Sequence, residues 1–157
     1  MTDDQDFDRI DASLIRMRRL LELPRKHKNG VELSAVLVVD TIARRTQSGM
    51  STRIADIALA LSVEPSTASR LVRSTEAAGH IQRSPSPDDP RSVILHLTPS
   101  GLDLDTSARE YRATLLSKAT QQWDQDTTAT FARLLDEFSR AAADSLRAKS
   151  TTDRLFM

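Results

Sequence analysis

The chain has 157 residues, with 22 Lys and Arg balancing 22 Asp and Glu, 39% hydrophobic residues, three His and no Cys. These figures suit a soluble globular protein of one domain, or one domain with a helical extension, and exclude an eight-stranded α/β barrel, which usually takes about 250 residues. The missing cysteine excludes disulfides, a thiolate nucleophile, a thiolate zinc site and thiol redox sensing, and no apolar run approaches the roughly 20 residues that span a bilayer.

The start, Met1-Thr2-Asp3-Asp4-Gln5-Asp6, is acidic and lacks the basic-then-apolar layout of a signal peptide, so the expected location is the cytoplasm, with no membrane partner. Residues 6–23 carry Ile10, Leu14, Met17, Leu20 and Leu21 at helical spacing, and Pro24 closes the run. A polar connector over 25–30 leads to a second helical run, 31 to about 47, which ends near Gly49. Its apolar face of Leu33, Val36, Leu37, Val39, Ile42 and Ala43 is broad enough to be largely buried. Ile54, Ile57, Ala58 and Leu61 then predict a short amphipathic helix begun by Ser51 or Thr52. Ser62-Val63-Glu64 is a tight connector, and Pro65 suits the first turn of the following helix. That helix turns Ala68, Leu71 and Val72 inward, and Gly79 supplies a left-handed cap after it. Two short helices so joined make a helix-turn-helix.

After Gly79 the period changes. Ile81 and then Val93, Leu95 and Leu97 alternate with Gln82, Ile94 and His96, as strands do. Between them Ser84-Pro85-Ser86-Pro87-Asp88-Asp89-Pro90-Arg91 is too proline-rich for a helix or a ladder, which predicts a hairpin with a long exposed tip. If Ile81 faces Leu95, His80 faces His96. Thr98 and Pro99 make a good N-cap and first residue for a helix over 99–121, with Leu102, Tyr111, Leu115 and Leu116. A last helix over about 126–149 carries Phe131, Leu134, Leu135, Phe138, Ala142 and Leu146.

Ile57-Ala58, Leu61, Pro65-Ser66-Thr67-Ala68-Ser69-Arg70-Leu71-Val72, Glu76 and Gly79-His80-Ile81-Gln82-Arg83 resemble the helix-turn-helix of the MarR family of bacterial transcription regulators. Asp89-Pro90-Arg91-Ser92-Val93 fits that family's Asp-x-Arg wing motif, and Leu97-Thr98-Pro99-Ser100-Gly101 fits the Leu-Thr-x-x-Gly opening of its next helix. The resemblance implies a mainly α fold with a small β-hairpin wing: a winged helix-turn-helix DNA-binding domain at 31–98, with its recognition helix at about 65–78 and its wing at about 80–97. Dimerisation helices at 1–30 and 99–157 flank it. The chain departs from the family pattern at Glu64, where Ser, Thr or Asp caps better, and at Thr75 and His80, where the family prefers apolar residues.

A helix that reads the major groove needs short polar residues near its N-terminus, and Arg or Lys where the groove is deepest. Ser66, Thr67, Ser69, Arg70 and Arg73 meet that need, with 66, 70 and 73 on one face opposite Leu71 and Val72 and Ser69 beside it. Arg70 or Arg73 is the candidate for a bidentate guanine contact. The resemblance assigns Arg91 to the minor groove, with Asp89 orienting Arg91 or pairing with an arginine of the recognition helix. Arg83 reads as a brace for the hairpin. From Glu64 to Leu97, Arg70, Arg73, Arg83 and Arg91 balance Glu64, Glu76, Asp88 and Asp89, so any basic surface has to arise by segregation onto one face.

Apolar stripes at both ends exceed what a small winged-helix core needs, which points to a second copy, as the resemblance also implies. Ala141-Ala142-Ala143 permits close helix approach, and Leu155-Phe156-Met157 is an apolar end that docks across the dimer or frays. The expected function is a homodimeric, sequence-specific regulator of transcription, a repressor by the commoner family mode, that binds a pseudo-palindromic duplex. A small-molecule effector is a possible partner, and Trp123 and Tyr111 are its candidate pocket residues, or else packing anchors. The rival is a winged-helix protein-interaction module that does not bind DNA. An enzyme is disfavoured, since no acid–base pair, phosphate loop or metal motif stands out; two imidazoles without a third ligand do not make a zinc site. No cofactor is expected.

Overall fold

A computed structural model describes residues 4–17, 33–87, 89 and 91–155, with side chains as far as 145. Its elements are α1 (Asp4–Met17), α2 (Leu33–Gln47), α3 (Ile54–Leu61), α4 (Pro65–Ala77), β1 (Ile81–Pro85), β2 (Val93–Leu97), α5 (Pro99–Ala119) and α6 (Gln125–Leu155). The end of the first expected helix, Pro24, the 25–30 connector, Val31 and the Phe156-Met157 end lie outside the described residues, as do Asp88 and Pro90 at the hairpin tip.

Helix α2 is the centre of the buried core. Val36, Val38, Val39, Thr41 and Ile42 are β-branched and intrinsically poor helix formers, so the helix depends on burial rather than on propensity. All five are buried, and α2 packs against α3, α4, α5 and β2. The core joins them to Ile57, Ala68, Val72, Ile81, Leu95 and Leu104.

The start of α3 differs from the expectation. Its N-cap is Arg53, whose backbone N–H donates to Asp56 Oδ2 at 2.7 Å. Thr52 is buried instead, with its carbonyl accepting Leu95 N–H at 2.8 Å, so the segment before α3 is committed to the hairpin. Among the described residues, the Thr52 hydroxyl is the one buried side-chain polar atom without a partner. Arg45 ties the end of α2 to this corner, through Asp56 at 3.0 Å and the Ser51 carbonyl at 2.9 Å. Ser62 makes the turn with φ 51° and ψ 45°, a left-handed conformation that an L residue adopts at a cost. Pro65 opens α4 as expected, and Gly79 follows it at φ 81°.

The hairpin is antiparallel, with Ile81 opposite Leu97, Gln82 opposite His96 and Pro85 opposite Val93. This corrects the expected register by two residues. The ladder is fixed at its closed end, where Thr98 N–H donates to the His80 carbonyl at 3.1 Å. The histidines therefore part: His80 Nδ1 meets Ser100 Oγ at 3.0 Å, and His96 Nε2 meets Ser84 Oγ at 2.8 Å. Ser84 and Pro85 also belong to the ladder rather than the tip; in a two-stranded sheet proline's missing donor can face outward. Ile94 is buried along with Leu95, while Val93 is exposed, so the strict alternation expected for β2 fails.

Thr98 joins hairpin to α5. Its hydroxyl donates to the Gly79 carbonyl at 2.7 Å and accepts Gly101 N–H at 3.1 Å, capping the helix while closing the α4–β1 corner. A Cβ on Gly101 would collide with the His80 carbonyl oxygen, so this position requires glycine by close approach.

Helices α1 and α6 contrast with this core. No residue of α1 is buried, and neither α1 nor α6 packs broadly on another element. Asp124 caps α6, and hydrogen bonds from the side chain and backbone of Thr127 hold its carboxyl below the ordinary value. The cap therefore contributes above the usual aspartate range and is lost as pH falls through the lowered value. No described helix is long and apolar enough to cross a membrane.

Candidate nucleic-acid interface

Helix α4 is built as two faces. Ala68, Val72 and Thr75 are buried at 0%, 0% and 1% exposure, and Leu71 packs partly against the same core. Ser66, Arg70 and Arg73 are exposed on the opposite side, with Thr67 and Ser69 half-buried between. The spacing of the inward set dictates the outward set, because a helix turns 100° per residue. Thr75 fits an apolar site because its hydroxyl donates to the Leu71 carbonyl at 2.8 Å.

The neutral count of the segment resolves into separated charges. Arg83 on β1 donates to Glu76 on α4 at 2.8 Å, so this pair braces hairpin against helix and consumes one charge of each sign. At the tip, Asp89 Oδ1 accepts the backbone N–H of Arg91 at 3.0 Å. Asp89 thus sets the Arg91 backbone and enters no ion pair with an α4 arginine. Ser86 N–H to Ser92 O at 2.8 Å and Ser92 N–H to Asp89 O at 2.9 Å close the turn around it. Among the described residues, no ion pair occupies Arg70, Arg73 or Arg91.

Three uncommitted guanidiniums and short hydroxyls, displayed by one helix and the hairpin that follows it, form a surface suited to a polyanion. Each exposed guanidinium offers a planar fork of donors that matches phosphate or a guanine edge. Among the described residues, no group of three His, Asp or Glu stands together to hold a metal ion.

Sequence reasoning missed a second polar feature, the seam between α2 and α5. There Asp40 accepts from Arg112 at 2.8 Å and from Arg44 at 2.6 Å, and Arg109 spans Asp105 at 3.0 Å and Gln47 at 3.5 Å. Asp40 and Arg112 are 72 residues apart, and no local pattern signals their meeting. The two aromatic residues considered for an effector pocket are placed differently. Trp123 lies edge-to-face on Phe131, with ring centroids 5.2 Å apart, and Tyr111 is half-buried on α5.

A family model described as MarR family matches residues 37–93. An HTH-type transcriptional regulator of Mycobacterium bovis is 29% identical over 139 residues, covering 88% of each chain. The fold is similar to that of FabT of Streptococcus pneumoniae, solved in complex with DNA, at 18% identity and TM-score 0.71, over 90% of this chain and 99% of that one. It is also similar to BpsR of Bordetella bronchiseptica, solved to explain regulation of its DNA binding by 6-hydroxynicotinic acid, at 15% identity and TM-score 0.65, over 86% and 98%. The matched stretch runs from the second turn of α2 through α4 to the start of β2, and the solved structures extend the likeness across the outer helices. The chain has the fold of the winged helix-turn-helix regulators, its residues 37–93 match the MarR family, and it is similar over most of its length to an HTH-type transcriptional regulator.

Proposed function

We propose that the protein is a homodimeric repressor that binds a pseudo-palindromic duplex, with α4 of each protomer in a major groove and each hairpin tip in the adjoining minor groove. The observation that carries this is the outward face of α4: Ser66, Arg70 and Arg73 stand exposed beside a hairpin that exposes Arg91, and among the described residues no ion pair occupies any of the three arginines. Thr67 and Ser69 flank that face, where short hydroxyls reach phosphates. The division into a head at 31–98 and dimerisation segments at 1–30 and 99–157 belongs to the same proposal. Its support is the contrast between a buried head and outer helices whose apolar residues stay exposed. A second copy on those helices would fix two reading heads about one helical turn apart, the spacing that two-fold DNA readers use. A small-molecule effector fits the likeness to a protein whose DNA binding 6-hydroxynicotinic acid regulates, and it would act by favouring one head separation over another.

Arg70→Ala and Arg91→Ala test the site. Each is expected to weaken operator binding while leaving the dimer intact, and removal of a phosphate contact lowers the slope of log affinity against log salt by about one. Loss of a bidentate guanine contact costs about 1–3 kcal/mol and relaxes sequence preference at one position. Unchanged affinity in both variants would favour the protein-interaction reading, which the balanced charge of the 64–97 segment motivates.

A further inference from the structure

The polar seam between α2 and α5 is two neighbouring polar groups, Arg112–Asp40–Arg44 and Asp105–Arg109–Gln47. Asp40 on α2 holds two arginines at once: Arg112 of α5, with Nη2 to Oδ1 at 2.8 Å, and Arg44 one turn along α2, with Nε to Oδ2 at 2.6 Å. Arg44 is pushed above its ordinary value chiefly by its hydrogen bond to Asp40, then by that charge, with a further contribution from the charge of Asp105. Asp105 in turn pairs with Arg109 at 2.9 Å, and both terminal nitrogens of Arg109 face Gln47 Oε1 of α2 at 3.5 Å. The seam thus crosses from α5 to α2 at Asp40 and again at Gln47, two helical turns apart along α2.

The central members are shielded from water. The Asp40 and Arg112 side chains are 20% and 19% exposed, and that of Asp105 is 9% exposed. Breaking such a pair strands a partly buried charge, whereas sliding α2 along α5 would break both crossings together. Apolar contacts are non-directional and tolerate a change of angle; the short charge-assisted hydrogen bond from Arg112 Nη2 to Asp40 Oδ1 does not. Helix α2 belongs to the head that carries α4 and the hairpin, and α5 leads out of that head to α6.

We infer that Asp40 is a positioning residue: through Arg112 it fixes the angle at which the DNA-reading head sits on α5. The consequence for operator choice rests on the function proposed above. One extra base pair between half-sites moves them apart by about 3.4 Å and turns one around the duplex axis, so a head held at one angle accepts one spacing.

The chain has no cysteine, so two can be placed at will. Gln82→Cys on β1 and Lys118→Cys on α5, both at exposed positions, carry spin labels, and the doubly labelled chain is diluted into excess unlabelled protein. Only the distance within one chain is then read, whatever the oligomeric state. The expected result is a single narrow distance distribution that widens or shifts with Asp40→Asn and with Arg112→Gln, and narrows again with Arg112→Lys, which restores the charge. Folded Asp40→Asn and Arg112→Gln proteins with an unaltered distribution would overturn the assignment, and two variants guard against one that fails to fold. A parallel selection from duplexes of fixed half-sites and varied spacing should lose its spacing preference severalfold in Asp40→Asn. If the unsubstituted protein selects no duplex while the distances respond as expected, the DNA-binding function fails and the positioning role of Asp40 stands.

Discussion

In the head, Ile42, Ile57 and Val72 retain 1% exposure or less, whereas Phe131, Leu134 and Phe138 of α6 retain 40%, 50% and 43%. Both sets recur at helical spacing. The inward residues of α2, α3 and α4 find each other within about forty positions of chain, and the hairpin closes the remaining side. The α6 stripe meets no such partner, and Phe7, Ile10 and Leu14 of α1 are likewise exposed. An apolar stripe dictates that a face be covered, but not by what. In the head the cover is intramolecular; for α1 and α6 our proposal assigns it to a second copy, because so many exposed apolar residues on neighbouring turns are costly to leave in water.

The contrast can be broken from either side. The largest effect is expected in the head: Ile57→Ala removes a side chain with no exposure and should cost about 2–5 kcal/mol of stability, seen as a lower denaturation midpoint at every protein concentration. On α6, Leu134→Glu with Phe138→Glu should shift the protein to monomer in sedimentation and make its stability independent of concentration. Residues at the centre of an interface cost about 2 kcal/mol or more when lost, against about 0.5 kcal/mol on a surface that is truly solvated. An unchanged dimer would reassign the cover to something else. Gly101→Ala sharpens the boundary between the regions, since the added Cβ meets backbone; a loss of about 1–3 kcal/mol should follow, measured by thermal unfolding. Least of all, Ser62→Gly relieves the left-handed turn between α3 and α4 and should gain about 0.5–1 kcal/mol with DNA affinity unaltered.

What the sequence makes legible follows the same division. The two faces of α4 are readable because inward and outward residues lie within one helix, and Thr98 is readable because an N-cap selects particular residue types; Gly101 stands out only through the family motif, and its close approach to the His80 carbonyl emerges with the fold. The α3 cap was misplaced because Arg53 is a poor capping residue by type and depends on Asp56 reaching back. Hairpin register was not readable either. A long tip leaves the pairing open, and the two-residue offset keeps every side chain on its face while changing its neighbour, so the apolar pattern alone cannot choose. The choice is made at Thr98 and His80, beyond the ends of the strands. Asp40 with Arg112 lies further out of reach, since partners 72 residues apart meet only once α2 and α5 are packed.

The claim that most needs testing is that two copies of this head act together on DNA. Selection of bound duplexes from a randomised pool at near-physiological salt, with protein whose dimeric state has been checked, addresses it directly. The account predicts enrichment of an inverted repeat whose half-sites lie about one helical turn apart. Enrichment of a lone half-site would contradict the paired arrangement, and no enrichment even at low salt would contradict the DNA-reading role itself.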